Sequence, residues 1–92
     1  MKKIILNGNN YQLIENKNNC FNEKDILAKF TEYFDSYDYI LGDYSYEKLR
    51  LKGFYDTTNK FATSINDVSH WKEYIKNFCA YECNYFLLKK EK

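Results

Sequence analysis

Apolar and polar positions recur at two different periods along this chain, and the switches between them mark its elements. "KKIIL" (2–6) and "YQLIE" (11–15) are short β-prone runs on either side of "NGNN". Asn7 and Gly8 tolerate the positive φ of a tight turn, so the two runs are expected to pair as a hairpin. In "CFNEKDILAKFTEYFDSY" the period lengthens: Ile26, Leu27, Phe30, Tyr33, Phe34 and Tyr37 recur at helical spacing. Asn22 suits the N-cap and Asp25 falls three residues on, as in a capping box. Phe21 and Ile26 occupy the two positions of a hydrophobic staple. A helix is predicted over 22–36.

The shorter period then returns. "YDYILG" (37–42) is β-rich and ends at a glycine, and "KLRLKGFY" (48–55) alternates strictly. Leu49, Leu51, Gly53 and Tyr55 point one way, and Lys48, Arg50, Lys52 and Phe54 the other. The link "DYSYE" is short enough to make 37–55 an antiparallel hairpin. "DTTNKFATS" (56–64) reads as a polar loop. A second helix is predicted over 67–79, with Val68, Trp71, Tyr74, Ile75, Phe78 and Cys79 on one face and its cap at either Asp67 or Ser69. "CNYFLLKK" (83–90) closes as a strand.

The order ββαββαβ points to an α+β fold. The expected form is a two-layer sandwich: a mostly antiparallel sheet of about five strands with both helices on one face. Residues 11–90 alone give βαββαβ, the order of ferredoxin-like and RNA-recognition folds. In those folds the first strand is central, which leaves no edge for a hairpin with 2–6. The hairpin is the stronger signal. Ninety-two residues have room for one core, so residues 1–92 are expected to form a single domain.

Composition adjusts this picture in three ways. Aromatic residues make up 20% of the chain, so the interior is expected to be built largely of rings. Fourteen basic residues meet 13 acidic ones for a net +1, which argues against a strongly basic nucleic-acid arm and an acidic disordered tail. The charge is uneven, however. Residues 1–47 carry five Lys and eight acids, and residues 48–92 nine basic residues and five acids, so an anion-facing surface is expected from the second half. Thirteen of the basic residues are Lys and eleven positions are Asn, a bias that A- and T-rich codons explain; "NKNN" (16–19) is read as a loop rather than a motif. The apolar run near the start is too short for a secretory signal, which needs about 7–15 residues, or for a membrane helix of about 20. A cytoplasmic monomer with no membrane contact is expected, its cysteines reduced.

Candidate chemistry is sparse. Cys20, Cys79, Cys83 and His70 would make a Cys₃His set, but the C-x₃-C spacing lacks the knuckle turn of a zinc site, and buried small thiols are the better reading. His70 is the only histidine, with no nucleophile expected to approach it. Gly8, Gly42 and Gly53 are isolated and form no phosphate loop. Asp38 and Asp43 are more readily turn-flanking or ion-paired than a catalytic pair. No catalytic residue, metal or cofactor is expected, and the chain reads as non-enzymatic.

The stretch "YDYILGDYSYEKLRLKGFY" (37–55) stands apart. It resembles the YutD-like family, small cytoplasmic proteins of low-GC Gram-positive bacteria and their wall-less relatives. The family pattern runs roughly Y-D-Y-I-V-G-D-W-G-Y-x-Q-L-R-L-K-G-F-[FY]-D. This chain matches it at Tyr37, Asp38, Tyr39, Ile40, Gly42, Asp43, Tyr46, Leu49 through Phe54, and Asp56. "YQLIEN", "FNEKDILAKF" and "CAYECNYFLLKK", the last through Cys79, Cys83, Tyr85, Phe86 and Leu88, extend the resemblance over nearly the whole chain. Tyr44 stands where a Trp is usual, Ser45 and Cys20 where a Gly is, and Ser45 makes a positive-φ turn there less comfortable. The family has no established activity, so the resemblance implies a fold more than a function.

Function is therefore sought on the same stretch. Lys48, Arg50, Lys52 and Phe54 share a strand face, with Asp43, Tyr44 and Tyr46 in the adjoining turn. One reading is RNA or ribonucleoprotein binding, with the cations on phosphates and Tyr44, Tyr46 or Phe54 stacking bases. A second is a protein-interaction module that uses the aromatic turn 43–47 as its anchor, with Arg50 meeting a carboxylate. A third needs no partner: Arg50 pairs with Asp43 or Glu47 and supports the turn.

Overall fold

Asn7 and Gly8 take φ of 51° and 80°, the left-handed backbone that a two-residue hairpin turn requires. They join strand β1 (Lys3–Leu6) to β2 (Asn9–Asn16), with Leu6 opposite Asn9. The computed structural model describes residues 2–45, 47–78 and 83–91, and Phe78 by its backbone alone. Strands β3 (Tyr39–Ser45), β4 (Lys48–Phe54) and β5 (Asn84–Lys90) complete a sheet ordered β1-β2-β5-β3-β4. Every pairing in it is antiparallel. The hairpin keeps its place, and the ferredoxin-like order yields: β5, not β4, lies between β2 and β3.

Helix α1 (Glu23–Lys29) begins where the caps predict, with the Asn22 side chain accepting from the Asp25 amide at 3.1 Å. It ends earlier than the apolar period suggests. Phe30 leaves helical space at φ −72°, ψ 130°, and the chain resumes as a 3₁₀ turn over Glu32–Ser36. The break lets Phe30 meet Tyr11 edge-on at 6.1 Å and Phe34 at 5.7 Å. It also brings Asp35 to the β1–β2 turn, where its carboxylate accepts from Asn7 Nδ2 at 2.6 Å. Tertiary packing outweighs helical periodicity here. Helix α2 (Trp71–Phe78) follows a 3₁₀ turn at Val68–His70, and Asp67 provides the cap by accepting from the Ser69 amide.

The α+β class and the antiparallel five-stranded sheet stand, but both helices do not share one face. Ile40 and Leu41 are adjacent, so their side chains leave opposite faces of β3, and neither has any exposed surface. Ile26 of α1, with Phe21, Phe30 and Phe34, covers the face that holds Tyr11, Ile40, Leu49, Phe86 and Leu88. Trp71, Tyr74 and Ile75 of α2 cover the other, over Leu41, Phe54 and Leu87. A central strand that is apolar on both sides needs a layer on each.

Candidate functional site

The turn between β3 and β4 is tighter than "DYSYE" suggests. β3 runs on through Ser45, which pairs with Lys48, and the left-handed residue is Glu47 (φ 65°) rather than Ser45. Asp43 and Tyr44 are thus neighbours in a strand and must face opposite ways. Tyr44 goes to the α1 side, where its hydroxyl donates to Asp25 Oδ2 at 2.8 Å. Burial first and that carboxylate second hold its hydroxyl well above the usual pKa. Tyr46 lies outside the described residues.

Asp43 faces the α2 side opposite Arg50. Only 1% of its surface is exposed, and the Arg50 guanidinium, 44% exposed, donates to Asp43 Oδ2 at 2.5 Å. This hydrogen bond raises the pKa of Arg50. Tyr74 of α2 borders the pair, its hydroxyl pushed up by burial and then by the Asp43 charge. Phe54 is fully buried and meets Tyr74 edge-on at 5.9 Å, so it presents no ring to a base. Lys52 stands above it, Nζ 5.5 Å from the ring centroid, and Lys48 is exposed at the head of β4. The fold therefore gathers Asp43, Lys48, Arg50, Lys52 and Phe54 on one face and sends Tyr44 to the other.

The remaining matches to the family pattern serve the sheet. A Cβ on Gly42 would lie 2.1 Å from the Phe86 ring, and one on Gly53 2.4 Å from the Tyr37 ring, so each glycine is a seat for an aromatic side chain. Asp38, 8% exposed, accepts from the Asp56 amide at 2.8 Å and from Asn59 Nδ2 at 2.9 Å, which fixes the loop after β4.

Between β4 and α2 opens a cleft of about 680 Å³, lined by Lys52, Ser64, Ile65, His70, Glu73, Tyr74 and Asn77. His70, Glu73, Tyr74 and Asn77 recur at the helical interval and form one wall. The pattern is present in the sequence, where Tyr74 also belongs to the apolar stripe that packs on the sheet. His70 Nδ1 sits 3.5 Å from Glu73 Oε2.

The sulfurs divide. Cys20 is a free thiol that donates to the Tyr85 carbonyl, and burial pushes its pKa up. Cys83, buried just before β5, is disulfide-bonded, which corrects the expectation of three reduced thiols. Composition gave no sign of which sulfurs the fold brings together. Cys79 lies outside the described residues. Among the described residues no three His, Cys, Asp or Glu side chains group closely enough to hold a metal ion, and no helix is long and apolar enough to cross a membrane.

Residues 5–89 match the model of the YutD-like family, described as "Putative antitoxin YutD-like". A Bacillus subtilis (strain 168) protein named "Putative antitoxin YutD" is 39% identical over 87 residues, covering 95% of this chain and 96% of the relative. The solution NMR structure of the Bacillus subtilis YutD protein superposes with a TM-score of 0.83 at 37% identity, covering 100% of this chain and 84% of that one. Family model, sequence relative and solved structure agree: the chain belongs to the YutD-like family.

Proposed function

We propose that this domain is a non-enzymatic binding module whose partner is another protein, engaged on the face where β4 meets α2. The observation that carries this reading is that the described candidate rings, Tyr44 and Phe54, offer no open stacking face beside the cations. Single-stranded RNA is held by phosphate contacts and exposed aromatic platforms on one surface. Here Phe54, although Lys52 lies over its ring, is fully buried beneath Tyr74, and Tyr44 is bonded to Asp25 behind the sheet, so neither offers a face on which a base could stack. What remains on that face is an open cleft with apolar and polar walls, a surface suited to side chains. The name of the Bacillus subtilis relative, brought to this chain, also favours a protein partner over a nucleic acid.

Affinity capture from a lysate of the source cells, with and without nuclease, tests this. A protein partner should be recovered equally in both. Loss of all bound material after nuclease treatment would return the assignment to RNA or ribonucleoprotein. Binding to an unstructured RNA would then weaken with salt by about 0.7 log units per phosphate contact for each tenfold rise.

A further inference from the structure

We propose that the cleft between β4 and α2 is the docking site for an acidic protein segment bearing an apolar side chain; this rests on the protein-partner reading above. Charge on this face sets the sign of the partner. Lys48, Arg50 and Lys52 are three cations on one face of β4, against Asp43 of β3 and Glu73 of α2 as carboxylates bordering that face. Asp43 and Arg50 are engaged with each other. Lys48 is exposed, and among the described residues no carboxylate lies within ion-pair distance of Lys48 or Lys52.

Shape sets the rest. The cleft falls within the roughly 300–1,000 Å³ typical of binding sites, where apolar walls give affinity and a few polar groups fix orientation. Tyr74 supplies an aromatic wall, and Ile65 stands at the mouth with 75% of its surface exposed, where a partner's apolar side chain could cover it. Ser64 and Asn77 offer hydrogen bonds to a backbone, and His70 sits beside Glu73. The cationic rim extends past the cleft. From Lys52 to Lys48 is four residues of strand, about 13 Å at the usual rise. A small metabolite seated in the cleft would not span that distance, whereas a few residues of extended chain would. Acidic side chains along such a segment would meet Lys48 and Lys52 while its apolar side chain lay against Ile65 and Tyr74.

The probe is a short, unstructured, labelled peptide of Glu and Leu, titrated into the full chain while backbone amide NMR signals are followed. Two control peptides replace Glu with Lys or Leu with Ser. The expected result is saturable shifts at Lys52, Ser64, Ile65, Tyr74 and Asn77, with both controls binding more weakly. Lys52→Glu should weaken the Glu–Leu peptide by about tenfold or more, because it sets like charges opposite each other. Ile65→Ser, at an exposed position, should weaken it with the fold intact. Shifts on another face, equal binding of the Lys peptide, or indifference to both substitutions would overturn the proposal. If a nuclease-resistant protein partner is captured equally by wild type and Lys52→Glu, the cleft assignment fails and the protein-partner reading stands. If the peptides leave these amides unmoved and an unstructured RNA shifts them, both fail.

Discussion

A carboxylate with 1% of its surface exposed needs a partner that can follow it into the sheet, and Arg50 reaches Asp43 directly across the β3–β4 ladder. That pairing was legible in the chain as one reading of the alternation in "KLRLKG". The side taken by Tyr44 was not, because "DYSYE" suggests a turn over 43–47 whereas only residues 46 and 47 lie between the paired strands. Once β3 is extended to Ser45, period-2 geometry alone separates Asp43 from Tyr44. The glycines of the motif carry a similar lesson. Gly42 is needed because the Phe86 ring occupies the space a methyl group would fill. Gly42→Ala should therefore destabilise the domain by about 1–3 kcal/mol, the usual range for overpacking a tight core. Urea denaturation checks this, and an unchanged midpoint would mean that the Phe86 ring moves aside at no cost.

At the scale of elements, ends were easier to read than extents. The Asn22 cap depends on neighbouring residues and was visible as such; Asn22→Ala should cost about 1 kcal/mol, the typical value of a lost N-cap, measured by the same denaturation. The break at Phe30 depends on rings far away in sequence, chiefly Tyr11, so the helical stripe ran past it. Leu27, counted in that stripe, is 54% exposed. The placement of α2 does have a signal in the sequence. "YIL" in β3 and "YFLL" in β5 are continuous apolar runs rather than alternating ones, the mark of strands buried on both faces.

The whole molecule is thus a sheet packed on both sides, and its ring-rich interior sets its response to alkali. The Tyr11 and Tyr37 hydroxyls are pushed up from 10.0 to about 12, Tyr11 by burial and then Asp35, Tyr37 by its bond with Tyr33 and then burial. The folded state holds these protons to higher pH than the unfolded state does. Their contribution to stability is complete below about pH 10 and is lost as pH rises through about 12. Tyr44 and Tyr74 shift in the same direction. The melting temperature should decline over that window, in step with the ultraviolet signal of tyrosinate. Ionisation of all ten tyrosines below pH 11 with no loss of stability would contradict the packing described.

On the α2 face of that molecule, two cations two residues apart have different tasks: Arg50 holds a buried carboxylate, and Lys52 borders the cleft. The most direct measurement is nuclease-treated capture of the partner by wild type, Arg50→Ala and Lys52→Glu, each scored beside its denaturation midpoint. Arg50→Ala leaves Asp43 buried without its donor and should lose about 1–3 kcal/mol, toward the lower end because water reaches the exposed half of the site. Its folded fraction should still recover the partner. Lys52→Glu should remain within about 0.5 kcal/mol of wild type and lose the partner. The reverse pattern, a stable Arg50→Ala that recovers nothing and a Lys52→Glu that binds normally, would contradict the account.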